Sequence, residues 1–225
     1  MPFALTGALA AAGLLAGWPQ HAVIVRLAVP AAPPSPDEDS AQPTRTVPPA
    51  LVVGFVTAVL LGPLAARVHG DLVLAAACWL AVCAVPLAFT DLAVSRLPNP
   101  LTAAAYAGTV VLLLLAAALG DQGASWSALL RAVLGGFALT GFYLLLIIVS
   151  PSGMSLGDVK LAGSLGTLLA WFGWRVLIAG GAAGFLLGGV AGAVLLASRR
   201  ADRTQLIPFG PFMIVGAVVA VLTLR

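Results

Sequence analysis

The chain consists almost entirely of apolar segments of roughly membrane-spanning length, and this feature restricts its fold more than any other. A helix crosses roughly 30 Å of hydrocarbon with about 20 apolar residues. By that measure the sequence holds about eight segments, and seven is the alternative count because the first and the sixth are short. The segments run from Phe3 to Trp18, Leu51 to Val68, Leu72 to Phe89, Leu101 to Leu119, Leu129 to Val149, Leu156 to Trp171, Trp174 to Ala197 and Pro208 to Leu224.

The composition agrees with a bilayer environment. Of all residues, 61% are hydrophobic and only 8% are charged, whereas soluble domains carry about 25% charged residues. A soluble globule needs polar cover over its outer face, but lipid imposes no such need. The sequence therefore predicts an all-α, polytopic transmembrane helix bundle, in which short connections make consecutive helices antiparallel neighbours.

One stretch of the sequence is clearly soluble in character. Residues 30–49 are rich in proline around an acidic run, Asp37-Glu38-Asp39, and no packed core can form from them. We interpret this stretch as a disordered loop between a first membrane helix in residues 1–29 and a main bundle in residues 50–225. The first segment, extended towards Val29, lacks the positive region that opens a secretory signal, so we interpret it as a membrane helix.

The distribution of basic residues predicts the orientation of the bundle. Alternating crossings divide the eleven Lys and Arg residues into two sets, and the side with more of them is expected to be cytoplasmic. The proline-rich loop, Asp91 and Asp158 all fall on that side. The richer set is Arg26, Arg45, Arg96, Lys160, Arg199, Arg200 and Arg203, and the poorer set is Arg67, Arg131, Arg175 and Arg225.

Two common classes of binding site are disfavoured by the sequence. The net charge is +3, yet the basic residues are scattered between apolar runs and form no dense patch for nucleic acid. The two cysteines, Cys78 and Cys83, lie within one apolar segment, and the chain has no paired Cys or His spacing typical of zinc sites. We expect both cysteines to be buried, apolar-like side chains, and we expect no metal or other cofactor.

Two carboxylates stand out because they lie at the ends of apolar segments. Asp91 follows a long apolar run, and Asp158 opens the sixth segment. A carboxylate at such depth is costly to ionise unless it is paired or hydrated, and therefore suggests function. Each could instead be a helix-end residue, Asp158 in particular at a helix N-terminus. Two helices separate them and return the chain to the same face, which favours a pair.

Two carboxylates that share one site suit a particular chemistry. They do not both ionise easily, so one can act as a base that activates water while the other protonates the amide that is cleaved. This is aspartyl protease chemistry, and it needs neither a metal nor a covalent intermediate. A proton- or cation-coupled transporter, in which the same carboxylates relay protons, is the alternative from another class.

Glycine and proline residues flank both carboxylates. Gly157 leaves room for a substrate backbone beside Asp158, and Pro98 and Pro100 are expected to end one helix and begin the next. A role in forming turns and helix ends would also account for these glycine and proline residues.

At these positions the sequence resembles the type IV prepilin peptidase family, membrane-embedded aspartyl peptidases of the Gly-x-Gly-Asp kind. Three stretches carry the resemblance: Asp91 to Thr102 resembles the first Asp followed by L-P-[DN]-x-L-T, Gly153 to Leu161 resembles G-M-G-x-G-D-x-K-L, and Ile207 to Phe212 resembles I-P-F-G-P-[FY]. Their order agrees with the family, and the similarity covers roughly Leu72 to Leu224.

The resemblance implies an activity and a set of site residues. Asp91 and Asp158 would be the catalytic pair of an endopeptidase in the inner, or plasma, membrane. Its substrates would be prepilins or pseudopilins, from which the family removes a short, basic cytoplasmic leader just before the hydrophobic segment. The residues expected to shape the site are Arg96, Pro98, Asn99, Gly153, Ser155, Gly157, Lys160, Pro208 and Gly210.

The sequence departs from the family pattern in two places. Ser155 stands where the first Gly of the Gly-x-Gly-Asp motif is expected, which affects the geometry or substrate preference around Asp158 and keeps open a catalytically silent homologue. Larger members carry a loop with paired cysteines after the first helix and methylate the new N-terminus. Residues 13–26 resemble only a trace of that region, and the loop has no cysteine, so we predict cleavage without methylation or zinc.

Overall fold

The computed structural model describes residues 2–28, 47–69, 71–94, 97–120, 125–149, 154–198 and 208–225, and within these ranges every regular element is an α-helix. This confirms the predicted all-α bundle. Most of the proline-rich loop, residues 30–46, lies outside the described ranges. The helices are α1 (Pro2–Ala28), α2 (Ala50–Arg67), α3 (Asp71–Val94), α4 (Asn99–Leu119), α5 (Trp126–Val149), α6 (Leu156–Phe172), α7 (Trp174–Ala197) and α8 (Gly210–Leu224).

Six of these helices, α1 to α5 and α7, are long and apolar enough to cross a membrane. The expectation that the sixth segment is short is confirmed, since α6 has 17 residues. The first segment is short only as an uninterrupted apolar run, because α1 has 27 residues and continues through Pro19 to Ala28, in agreement with the expected extension towards Val29. Pro removes one backbone hydrogen bond, but a proline inside a membrane helix is tolerated where neighbouring helices compensate.

Glycine contacts show that neighbouring helices run antiparallel. A side chain at Gly17 on α1 would collide with the backbone of Gly54 near the start of α2, while one at Gly13 would collide with Ala58 further along. Gly184 on α7 packs in the same way against Gly216 on α8. The close approach agrees with small residues at helix interfaces in membranes. The alternation brings Asp91, Asp158 and Gly210 to one end of the bundle, which we call the carboxylate end.

Helix α3 lies in the core and carries both cysteines. Cys83 is buried, as expected, and Cys78 is only half-buried. Pro86 has no N–H group, so the carbonyl of Val82, four residues earlier, lacks its helical donor. Gln20 of α1 replaces that donor, because its Nε2 donates to the Val82 carbonyl at 2.9 Å. The hydroxyl of Thr57 on α2 donates to Gln20 Oε1 at 2.8 Å, so three helices meet at the proline.

Substitution of Gln20 tests this junction. Gln20→Leu is expected to lower the free energy of unfolding by about 1–3 kcal/mol, because it leaves the buried Val82 carbonyl without a donor. Thr57→Val is expected to cost less, and the double variant should cost less than the sum of the two. Thermal unfolding of the purified protein in detergent measures all three, and additive effects would contradict the coupling.

The far end of α6 is fixed by its neighbours. Arg131 of α5 donates from Nε to the carbonyl of Ala170 at 2.7 Å and from a terminal nitrogen to the carbonyl of Trp171 at 2.6 Å. Gly173 then turns the chain into α7 with a φ of 137°, a conformation that suits glycine. A cation at a helix C-terminus complements the helix dipole. These contacts hold α6, and with it the position of Asp158, against α5.

Candidate active site

Asp91 lies in the last turn of α3, inside the bundle. Its side chain is 1% exposed, and its Oδ2 accepts a hydrogen bond of 3.0 Å from the backbone N–H of Gly210. Gly210 is the first residue of α8, so the carboxylate sits at the positive end of that helix dipole. The third motif of the sequence thus supplies a backbone donor to the carboxylate of the first motif.

Asp158 is the third residue of α6 and takes part in a capping box with Ser155. The backbone N–H and the hydroxyl of Ser155 both donate to Asp158 Oδ2 at 2.9 Å. In return, the N–H of Asp158 donates to the Ser155 hydroxyl at 3.4 Å. Asp158 therefore has the helix-end role that the sequence left open. Its other oxygen, Oδ1, is buried and accepts no hydrogen bond from any described residue.

The two carboxylates are buried close to each other at the carboxylate end. Asp91 and Asp158 are each 1% exposed and lie within electrostatic range of each other. A side chain at Gly210 would lie 3.0 Å from Asp91 Oδ2 and 3.7 Å from Leu161. Leu161 is one turn after Asp158 on the same side of α6, because residues three apart share a helix face. Helices α3, α6 and α8 therefore converge where the two carboxylates lie.

Aromatic side chains enclose this region. Tyr143 of α5 is 1% exposed and lies within electrostatic range of Asp158. Its ring stacks edge-to-face on Phe209, with 6.0 Å between ring centroids. Phe209 directly precedes Gly210, which binds Asp91. The sequence analysis did not select Tyr143, whose signal was a phenolic hydroxyl within a largely apolar segment.

Gly157 is a point of close contact between α6 and the chain that leads into α4. A Cβ atom at Gly157 would lie 2.7 Å from the Cβ of Leu97. Real Cβ atoms do not approach this closely, so any larger residue would push the start of α6 away from Leu97. The absence of a side chain at Gly157 therefore allows Asp158 to lie close to the segment that follows Asp91.

The remaining residues of the first two motifs join α4 to α6. Pro98 caps the N-terminus of α4 and Pro100 occupies its first turn, as the sequence predicted. Lys160 donates from Nζ to Asn99 Oδ1 at 2.6 Å. This bond holds the first turns of the two helices together beside Asp158.

The other predicted site residues divide into two groups. Pro208 lies next to the buried Phe209 at the approach to α8. Arg96 and Gly153 lie outside the described residues.

Within the described part of the chain, no three His, Cys, Asp or Glu side chains come together in a way that could hold a metal ion.

Substitution of Ser155 measures the contribution of the capping box. Ser155→Ala is expected to lower the free energy of unfolding by about 1 kcal/mol, because it removes a donor to Asp158 and a helix cap. Ser164→Ala is the matched control on the same helix, since the buried Ser164 hydroxyl has no hydrogen-bond partner among the described residues. Thermal unfolding in detergent compares the two, and equal effects would contradict the role of the cap.

Comparison with known proteins identifies relatives of the chain. It is 38% identical over 96 residues to the prepilin leader peptidase/N-methyltransferase of Stutzerimonas stutzeri, covering 42% of this chain and 32% of that protein. The protein of the same name from Pseudomonas aeruginosa is 35% identical over the same length. That of Aeromonas salmonicida is 32% identical over 141 residues, 61% of this chain and 45% of the relative.

The chain thus matches less than half the length of these relatives. No family model matches the chain, and no solved structure matches it. The relatives nevertheless share one name, and the chain has the three motifs in the expected order with both motif carboxylates at one end of a helical bundle. Over part of its length the chain is therefore similar to prepilin leader peptidases, in agreement with its resemblance to the type IV prepilin peptidase family.

Proposed function

We propose that this protein is a membrane-embedded aspartic endopeptidase that removes the short leader from prepilin or pseudopilin substrates. One observation carries the proposal: Asp91 and Asp158, far apart in the chain, are both buried at the carboxylate end and lie within electrostatic range of each other. The names of the relatives support the substrate class.

The proposed reaction uses the two carboxylates as an acid–base pair. The ionised carboxylate takes a proton from a water molecule, and the water oxygen attacks the carbonyl carbon of the scissile peptide bond. The protonated carboxyl group donates its proton to the amide nitrogen as the carbon–nitrogen bond breaks. Asp158 Oδ1 has no partner among the described residues and is therefore available to hold the water.

The hydrogen bonds around the two carboxylates support their use as an acid–base pair. Both Asp91 and Asp158 use Oδ2 to accept hydrogen bonds, from Gly210 and Ser155 respectively. These bonds fix the direction of each carboxyl group without occupying Asp158 Oδ1. Preorganised positions of this kind reduce the reorganisation needed for reaction.

The proposal also states on which side of the membrane the carboxylate end lies and that the protein does not methylate its product. The basic residues favour a cytoplasmic position for the carboxylate end in the inner membrane. We propose cleavage without N-methylation, because both cysteines lie within α3 and the proline-rich loop, where larger members carry paired cysteines, has none.

The test is leader removal in membranes. A candidate prepilin from the same genome is co-expressed with the protein or with an empty vector, and the mass of its N-terminal peptide is measured. We expect a product that lacks the leader and carries no methyl group. Full-length prepilin in both samples would contradict the proposal, and it is the result that a transporter would give.

A further inference from the structure

A cavity opens on the side of the bundle next to Asp158. Helices α4 and α5 each pack on α6 but make little contact with each other. Between them lies a cavity of about 580 Å³, which is within the range of roughly 300–1,000 Å³ typical of binding pockets. Gly163 and Val159 of α6 form its floor, and we call it the α4–α5 groove. Its walls include Tyr106, Phe137 and Thr140.

The groove leads directly to the candidate active site. Its floor residue Val159 follows Asp158 in the chain, and the bonded pair Lys160 and Asn99 stands at the carboxylate end. Thr140 lies one turn before Tyr143 on the same face of α5, and Tyr143 lies within electrostatic range of Asp158. A chain that occupied the groove would therefore reach the carboxylates at one of its ends.

The groove is open towards the lipid. Phe137 is 70% exposed and Tyr106 is 41% exposed, so a segment that lies in the membrane can enter from the side. From Asn99 to Tyr106 the groove wall is about 10 Å long. That length matches about three residues of an extended chain.

We propose that the α4–α5 groove binds the apolar segment of the substrate that follows the scissile bond; this inference rests on the proposed function. The chemistry of the lining selects this part of the substrate. The groove is lined mainly by apolar side chains and glycines, and Lys160 is the one charged residue among the described residues that line it. Its ammonium group repels a basic leader, whereas an uncharged apolar segment meets no such penalty. The leader then lies on the other side of the carboxylates.

Site-specific photocross-linking tests the inference. A benzophenone amino acid is placed at Tyr106, at Phe137 or, as a matched control, at Phe55. Phe55 is an exposed aromatic residue on α2, 62% exposed, and is not part of the groove. Each variant is co-expressed with a tagged prepilin, assayed for leader removal, irradiated, and analysed by mass spectrometry for the cross-linked residue.

The expected result is cross-linking from positions 106 and 137 to residues after the scissile bond, and at least about tenfold less from position 55. Cleavage with no preference for the groove positions would overturn the inference and leave the proposed function intact. Cross-links to the leader, or to phospholipid alone, would also overturn it. Absence of cleavage in the wild type would instead remove the proposed function, and the inference with it.

A kinetic comparison gives a second, independent readout. Thr140→Trp fills the groove, whereas Gly141→Trp places the same side chain on the adjacent residue. There, apart from its own helix backbone, no heavy atom of the described residues lies within 4 Å of an added Cβ. We expect Thr140→Trp to raise KM about tenfold with a smaller change in kcat, and Gly141→Trp to leave both near wild type. Equal KM values in the two variants would contradict the assignment of the groove.

Discussion

Replacing either Asp91 or Asp158 with asparagine is expected to abolish leader removal, with a loss of at least about 1,000-fold in the cleavage rate. Asparagine has nearly the same shape as aspartate but cannot exchange a proton with water or with the leaving amide. The protein should still fold, because the asparagine oxygen can accept the hydrogen bond from Gly210 or from Ser155. Cleavage of a co-expressed prepilin and the amount of protein in the membrane measure the two effects.

Asp71→Asn is the matched control for these variants. Asp71 is exposed at the start of α3, at the opposite end of the helix from Asp91. The Asp71→Asn variant should cleave the prepilin at the wild-type rate. Persistent cleavage in Asp158→Asn would remove Asp158 from the mechanism and leave it with the capping role alone, whereas loss in all three variants would point to a general effect of acidic residues.

The second large effect is expected at Gly157, where one added methyl group should reduce cleavage about 100-fold. A Cβ atom there would lie 2.7 Å from the Cβ of Leu97, which belongs to the chain entering α4 and cannot rotate away. The start of α6 must therefore shift, and Asp158 shifts with it. Displacement of a reacting group by about 1 Å can cost about 100-fold in rate. Steady-state cleavage by Gly157→Ala measures the loss.

Two further variants separate this effect from a general intolerance of larger residues. Gly141→Ala is the matched control, because a Cβ atom at Gly141 would have no heavy atom of another described element within 4 Å. The double variant Gly157→Ala with Leu97→Gly removes the colliding atom and should recover part of the activity. Wild-type activity in Gly157→Ala alone would show that the contact does not position Asp158.

Most of the helices could be predicted from the sequence, because a long apolar run is typical of a membrane helix. Their ends were less well predicted, and α3 is an example. The apolar run ends at Phe89, yet the helix continues to Val94. Its polar residues are satisfied inside the bundle, since the Thr90 hydroxyl donates to the Pro86 carbonyl at 2.7 Å and Asp91 accepts from Gly210. Hydropathy alone does not report such partners.

The candidate site could also be predicted only in part. The two carboxylates could be selected from one sequence because an acidic residue at the end of an apolar run is costly. The spacing of Ser155 and Asp158 is also typical of a capping box, so this pair is visible in the local sequence pattern. In contrast, the partners from distant helices follow only from packing. Examples are Gly210 against Asp91, Tyr143 near Asp158, and Gln20 at the Val82 carbonyl that Pro86 leaves without a donor.

The most direct test of the account is an experimental structure of the protein bound to a substrate peptide in which a hydroxyl-bearing carbon replaces the scissile carbonyl. Such a group imitates the tetrahedral intermediate of hydrolysis by two carboxylates. We predict that its hydroxyl lies about 2.6–3.2 Å from a carboxylate oxygen of both Asp91 and Asp158. A bound peptide whose hydroxyl contacts neither carboxylate, or only one while the other stays beyond reach of a shared water, would contradict the account.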